Sequence, residues 1–423
     1  MRFRPPSRRA SWWWWSQSVH NTANKLHRCR RIPVVVILIG VFVVTIASVQ
    51  TLDAEDIDVV ASTLWMRSKY DDPSSLSETP QHFSIFAEEL NRLAPEYDEP
   101  SCPEGLRYRS NHNMHLLLDA SSWVGGIPKI VHQTSKSRCL TPKVYKATEQ
   151  WQSAQHNGWD GYVYILHDDA ALQRLFAQEY NDIPFRQELV QHCLTTGTLQ
   201  ADVWRYIVLF RYGGIYADID AVPNRLVPSQ HLQASRNTAA VDALMVVEQY
   251  HIASQWFMAM SPQHPLMWYA HHQALQNLLE VSNLGRIRVA HVTGPHALHQ
   301  AFQRFVQENP DSDHSITLAP LGPGQKPVKA GVYRGNSGRT VTILGRGEQQ
   351  NEYVNRDVLR RSKFREYEKM HMQHFSQELV PTNTTSSRTV MSCRQAIAWA
   401  ATTSRNDRNA SRIRRDIKLQ TNQ

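Results

Sequence analysis

Apolar positions along this chain fall into short strand-like runs separated by stretches of helical periodicity, and their order predicts the fold class. IPKIVHQT (127–134) is a compact β-branched run. Behind it, TPKVYKATEQWQSAQHNG reads as a helix with Thr141 as N-cap, Pro142 in the first turn and Gly158 as its stop. YVYIL (162–166) predicts a strand and DDAALQRLFAQEY a helix. Strand, helix, strand, helix implies an α/β domain with a largely parallel sheet. In TGTLQADVWRYIVLFRYGG, Leu199, Val203, Ile207 and Phe210 recur at helical spacing, with Thr198 as the expected cap and Gly213 just past the end. That helix runs straight into GIYADID. Further on, DALMVVEQY (242–250) predicts a strand, PLMWYAHHQALQNLLEV a helix, and GPHALHQAFQRFVQ another beginning after Gly294. No internal repeat is evident.

The flanks follow different patterns. Ile32–Val49, IPVVVILIGVFVVTIASV, carries no charge and as a helix would extend about 27 Å, close to the hydrocarbon thickness of a bilayer. Arg28, Arg30 and Arg31 precede it and Asp53, Glu55, Asp56 and Asp58 follow it, which leaves the N-terminus cytosolic. The run exceeds a signal-peptide core, so an uncleaved single-pass anchor is expected. Between residues 50 and 125, DDPSSLSETP and LAPEYDEPSCP interrupt any period and suggest a stem or irregular leader. The expected organisation is a basic tail (1–31), an anchor (32–49), the leader (50–125), a catalytic domain (126–380) and a Ser/Thr/Arg-rich tail (381–423). That tail reads as poorly ordered, with a short helix expected in AIAWAATT.

Charge changes the picture by exclusion. The net charge of +8 resides at the ends. Residues 1–31 hold eight Arg/Lys and no acid, and from Arg388 onward eight Arg/Lys face only Asp407 and Asp416. The remaining middle is mildly acidic, which argues against a nucleic-acid partner. Of five cysteines, Cys29 falls on the cytosolic side, leaving Cys102, Cys139, Cys193 and Cys393 for an oxidising lumen. Four cysteines allow two disulfides in three connectivities. Their wide spacing, with no CxxC, excludes the usual zinc patterns. Asn383 and Asn409 open glycosylation sequons.

Candidate chemistry gathers around GGIYADID (213–220). In an extended strand Asp218 and Asp220 would project from one face, where like charges repel unless they meet water or a bridging cation. Hard divalent ions such as Mg²⁺ or Mn²⁺ suit oxygen ligands. Asp202 and Arg205 share a face of the preceding helix, and alone they would read as a surface ion pair. Two glycines join that helix to the aspartates and permit a tight turn with close approach of a ligand.

IPKIVHQT, LQADVWRYIVLFRYGGIYADID, FMAMSPQHPLMWYA and VTGPHAL, in this order, resemble glycosyltransferase family 32 over roughly residues 127–302. That family of DXD-containing sugar transferases includes initiation-specific α-1,6-mannosyltransferases and inositol phosphorylceramide mannosyltransferases. The resemblance implies a GT-A type, Rossmann-like nucleotide-sugar-binding domain, a divalent metal (Mn²⁺ or Mg²⁺), retention of anomeric configuration and a type II Golgi membrane protein with its catalytic domain in the lumen. GDP-mannose is the expected donor, with UDP-galactose or UDP-N-acetylglucosamine as the alternative. A glycan or sphingolipid is the expected acceptor, and other membrane subunits are compatible as partners.

By the same resemblance Asp218 and Asp220 match the DXD pair that holds metal and donor, Arg205 a second electrophile, Asp202 and Arg205 the DxxR lining the donor site, and Gly213, Gly214 and Tyr216 the GGxY. His132 matches a position at the end of the first strand, near the nucleotide; the alternative is a satisfied strand-end histidine. A late histidine is the family's third metal ligand. MHMQHFSQEL offers His371 and His374, with His374 preferred because HFS keeps the order histidine, aromatic, small, although the family's Gly-Ser-Trp is missing. No nucleophile for retention is assigned; Glu248, after DALMVV, is a nearby carboxylate only. Two other classes compete: a haloacid-dehalogenase-type phosphohydrolase, whose strand also ends in DxD, and a transferase-like protein that binds without catalysis.

Overall fold

The computed structural model describes residues 83–97, 101–118, 123–124, 126–152, 162–180, 189–224, 242–247, 252–282, 287–307, 328, 331–335, 337–346, 354–356, 358–372, 392–395 and 397. All lie in one compact unit, Leu52–Gln423. The expected anchor at 32–49, Cys29, both sequons, Glu248 and His374 lie outside the described residues. Among those described, no helix is long and apolar enough to cross a membrane.

The chain forms α1 (Phe83–Leu93), β1 (Ile130–Thr134), α2 (Pro142–Glu149), β2 (Val163–His167), α3 (Asp169–Glu179), α4 (Gly197–Tyr212), β3 (Gly214–Ala217) and β4 (Val222–Pro223). Then follow β5 (Ala243–Val247), β6 (Ala253–Met260), α5 (Pro265–Glu280), α6 (Val289–Val292), α7 (Pro295–Gln307), β7 (Gly331–Arg334), β8 (Thr340–Arg346), β9 (Val354–Asn355) and α8 (Lys363–Lys369).

Seven strands build the central sheet in the order β7-β8-β5-β6-β3-β1-β2. β1 pairs in parallel with β2 and β3, and β8 with β5. The sheet is nevertheless mixed, contrary to the expectation of a largely parallel one: β6 runs antiparallel to both β3 and β5, and β7 to β8. The connections at 248–252 and 335–339 explain this, because they are too short for the crossover that parallel neighbours need. β6 and the β7–β8 pair went unread in the sequence pattern.

Strand alternation divides the core in two. Val163 and Ile165 of β2 and Met245 of β5 face a core shared with Leu175, Val203, Leu275 and Phe302. Their neighbours Tyr164, Leu166 and Leu244 face a second core with Val144, Trp151, Trp256 and Tyr367. Period-2 alternation in the strands thus produces three layers, helix on sheet on helix. The stretch read as an irregular leader contributes to the first core through Leu90 and Leu93 of α1.

Helix ends show where local rules held and where packing intervened. Thr141 caps α2, its side chain accepting from Val144 N, with Pro142 next. The helix stops at Glu149 rather than near Gly158, because 149–152 tighten into i→i+3 bonds and Trp151 turns inward to donate to Ala221 O at 2.9 Å. α4 is capped by Thr196 rather than Thr198: Thr196 is extended and accepts from Leu199 N, which leaves Thr198 inside the first turn. The cysteines pair Cys102–Cys139 and Cys193–Cys393. The second bridge brings buried Cys393, within the tail expected to be poorly ordered, into the first core.

Candidate active site

The chain leaves β3 at Ala217, and Asp218 opens a turn closed by Ala221 N donating to Asp218 O at 2.8 Å. Asp218 and Asp220 therefore do not share the face of a strand, as the sequence pattern suggested. The turn separates their environments: the Asp218 side chain is 18% exposed and that of Asp220 1%. Gln133 pins the turn, its Nε2 donating to Asp218 O at 2.8 Å and Ala221 O at 3.2 Å while its Oε1 accepts from the Tyr164 hydroxyl at 2.9 Å. Trp151 holds the same Ala221 carbonyl.

The glycines before the turn are required by the packing of the chain around them. Gly213 and Gly214 have φ of 64° and 92°, which favour glycine. A Cβ on Gly213 would lie 2.7 Å from Pro262 N, and one on Gly214 2.8 Å from Ile130 O. Close approach to neighbouring backbone is what these positions require.

His132 is likewise absorbed by the fold. It is fully buried, its Nε2 3.1 Å from Gly213 O and its Nδ1 3.0 Å from His167 Nε2. A carbonyl only accepts, so Nε2 carries the proton and Nδ1 accepts from His167. Burial pushes the His132 pKa down to about 4 against the support of that carbonyl. His132 bridges strand ends away from the cleft, which matches the satisfied-histidine reading rather than a place against the nucleotide.

Asp202 and Arg205 do meet the aspartate turn, and they are not a surface pair. Arg205 Nη2 lies 3.0 Å from Asp202 Oδ1, with both side chains buried. Gln255 Nε2 and Thr293 Oγ1 each donate to Asp202 at 2.9 Å. Arg205 Nη1 reaches Asp218 Oδ1 at 3.4 Å, and its guanidinium sits 4.5 Å from the centroid of the Tyr216 ring. The Tyr216 hydroxyl donates to Asp218 Oδ1 at 3.0 Å. Burial works against the Arg205 charge, but Tyr216, Asp202 and Asp218 outweigh it and raise its pKa. Burial also opposes the Asp218 charge, yet Arg356 and Arg205, aided by Lys363 and Tyr216, hold it below the usual carboxylate range.

Arg356 and Lys363 were missed in the sequence, where no motif surrounds them. β9 pairs antiparallel with β4, Asn355 opposite Val222, and this delivers Arg356 to the turn. Its Nη2 lies 2.9 Å from Asp218 Oδ2 and its Nε 3.8 Å from Asp220 Oδ1. Lys363 Nζ stands 2.5 Å from Asp220 Oδ2. Gln133 and Thr293 lay inside the quoted runs IVHQT and VTGPHAL, whereas Gln255 had no signal at all.

Asp202, Arg205, Tyr216, Asp218, Arg356 and Lys363, among others, line a cleft of about 680 Å³ at the C-terminal ends of β1 and β3, whereas Asp220 is buried behind that lining. The chain passes from β1 outward to β2 and then back across β1 to β3 on its other side, so the cleft sits where the strand order reverses, the usual ligand position of open α/β sheets. The first turns of α3, α4 and α7 also border it, through Asp169, Thr198 and His296. His371 lines the cleft as well.

The turn suits a hard divalent cation. Asp220 Oδ1 is buried without a hydrogen-bond partner, and its nearest cation, Arg356 Nε, stands off at 3.8 Å. Among the described residues no group of three or more His, Cys, Asp or Glu forms a cage. Two carboxylates are what the protein would supply to Mg²⁺ or Mn²⁺, ions that commonly complete their shell with water and substrate phosphates.

Residues 141–238 match the family model described as "Glycosyltransferase sugar-binding region containing DXD motif", which spans the Asp218–Asp220 turn. This stretch is similar to the sugar-binding region of DXD-containing glycosyltransferases. Inositol phosphoceramide mannosyltransferase 3 of Schizosaccharomyces pombe is 32% identical over 135 residues, 29% of this chain and 32% of that protein. The initiation-specific alpha-1,6-mannosyltransferase of the same organism is 25% identical over 179 residues, 37% of this chain and 43% of that protein. The matches thus span about a third to two fifths of these curated relatives. Among solved structures, PaToxG Glycosyltransferase matches at 17% identity and a TM-score of 0.29, over 43% of this chain and 70% of that one. The matched region contributes Asp202, Arg205, Tyr216 and Asp218 to the cleft.

Proposed function

We propose that the chain is a metal-dependent, retaining glycosyltransferase of GT-A type that transfers a hexosyl group, mannose from GDP-mannose in first place, to a glycan or glycosphingolipid acceptor. The observation that carries this reading is the DXD turn: Asp218 meets Arg205 at the head of a cleft at the sheet's switch point, and Asp220, buried beside it, has one oxygen without a hydrogen bond. The mannosyltransferase names of the relatives support the choice of sugar.

Held by Asp218 and Asp220, a divalent cation would stabilise negative charge on the departing nucleoside diphosphate. The chain's own share is positional. Asp202, Gln255 and Tyr216 fix the Arg205 guanidinium facing the same region, so its charge needs no reorganisation as the leaving group develops. The Tyr216 hydroxyl and Gln133 orient Asp218 through its side chain and its carbonyl. Placement in the Golgi lumen behind the 32–49 anchor belongs to the same proposal, and the two disulfides support an oxidising compartment.

A donor screen of the full-length chain with MnCl₂ tests the reading. Release of GDP from GDP-mannose, abolished by EDTA, is the expected result; release from a UDP-sugar instead would revise the donor. No turnover of any nucleotide sugar, with phosphatase activity on p-nitrophenyl phosphate, would overturn it.

A further inference from the structure

The aspartate turn is closed by its own cations. Among the described residues three carboxylates, Asp202, Asp218 and Asp220, meet three cations, Arg205, Arg356 and Lys363. The cations are not equivalent. Arg205 is 7% exposed and committed to Asp202 at 3.0 Å. Arg356 and Lys363 are 22% and 17% exposed and reach the turn from the later segment. Both line the cleft, and their contacts engage Asp218 Oδ2 and both Asp220 oxygens, the atoms a divalent ion would use.

We infer that Arg356 and Lys363 are exchangeable counter-ions, which neutralise Asp218 and Asp220 in the metal-free chain and transfer to the diphosphate of the nucleotide when cation and nucleotide enter together. The inference rests on the transferase reading above and deepens it. Its physical content is a charge balance. A divalent cation alone must displace Arg356 and Lys363 from Asp218 and Asp220 and add two positive charges to a partly buried site, which is unfavourable. A doubly negative diphosphate restores the balance, and the displaced guanidinium and ammonium are suited to its oxygens, the first as a planar fork and the second as a point charge. Metal and nucleotide then favour each other reciprocally. Long flexible stems allow such an exchange, whereas the Asp202 contact holds Arg205 in place.

The experiment is a titration of the full-length chain with MnCl₂, following the paramagnetic resonance signal of free Mn²⁺, with and without GDP. Wild type is expected to bind Mn²⁺ weakly alone and about tenfold or more tightly with GDP, a typical coupling. Arg356→Gln and Lys363→Gln each unmask a carboxylate, so each should bind Mn²⁺ alone more tightly than wild type while GDP affinity falls and the coupling shrinks. A merely structural role predicts loss of both affinities. Wild type that binds Mn²⁺ equally with and without GDP overturns the inference, and so does a folded Lys363→Gln protein that binds Mn²⁺ alone no better than wild type. Wild type that binds neither ligand overturns the transferase reading itself, a result separable from binding without coupling. Thermal melting identifies any variant that fails to fold.

Discussion

Arg356 Nη2 lies 2.9 Å from Asp218 Oδ2 across 138 positions of sequence, so a residue with no local motif completes the charge environment of the most recognisable motif in the chain. Asp218 is held ionised by Arg356 and Arg205 against the cost of its burial. That carboxylate is therefore ionised at any ordinary pH.

Replacing Asp218 or Asp220 with Asn should leave the fold intact and reduce transfer about a hundredfold or more, on the order of 3 kcal/mol in the transition state. EDTA should reproduce the loss in wild type, with Mn²⁺ restoring wild type far better than either variant. A transfer assay beside a thermal melt checks both parts; a fully active Asp220→Asn protein would contradict the assignment.

Asp202→Ala should act chiefly on stability. It removes the acceptor of Gln255, Thr293 and Arg205 and leaves a buried guanidinium short of a partner, at a cost of roughly 3 kcal/mol. Urea denaturation measures it. An unchanged midpoint would mean that the pair is as solvated as an exposed helix pair.

Acid should destabilise the protein before its carboxylates titrate. Burial pushes His132 down to about 4 and, with Arg339 adding to the effect, His264 to about 3. Both bind a proton near pH 6.5 when unfolded but not when folded, so the unfolded state holds more protons between those values. Their contribution is fully present above about pH 6.5 and declines as pH falls toward 4, by up to roughly 3 kcal/mol for a histidine with this shift. Denaturation midpoints followed from about pH 7.5 to about pH 4.5 should fall, and His132→Gln should flatten the slope. A flat wild-type profile would show these histidines to be hydrated.

The Cys193–Cys393 bridge spans 200 positions and Cys102–Cys139 spans 37. Loop-closure entropy predicts about 5 kcal/mol of stabilisation for the first and about 4 for the second. Paired Cys→Ala variants, compared by denaturation, should rank in that order. Non-reducing peptide mapping that finds four free thiols, or a different pairing, would refute the connectivity.

Local order was legible where neighbours in sequence are neighbours in space. Period-2 and period-3.6 patterns located β1, β2, β3, β5, α3, α4, α5 and α7 to within a few residues, because each buries its own apolar face. Thr141 and Gly213 were read correctly as helix boundaries, since capping is a contact within a few residues. The DXD and DxxR spacing likewise marked four residues that the fold brings together.

Other features needed the assembled chain. Asp218 and Asp220 alternate like a strand in sequence, but Gln133 and Trp151 impose a turn, and only that turn buries one carboxylate more deeply than the other. The direction of β6, the pairing of the four cysteines and the sheet-packing role of Gly213 and Gly214 likewise depend on partners far along the chain. His132 was ambiguous as a residue type and became a structural bridge because β2 places His167 beside it. Arg356 and Lys363 reach the site only because β9 pairs with β4, a contact decided by packing across more than a hundred residues. Propensity and periodicity act over a few residues, whereas charge balance in a cleft is a property of everything that packs around it.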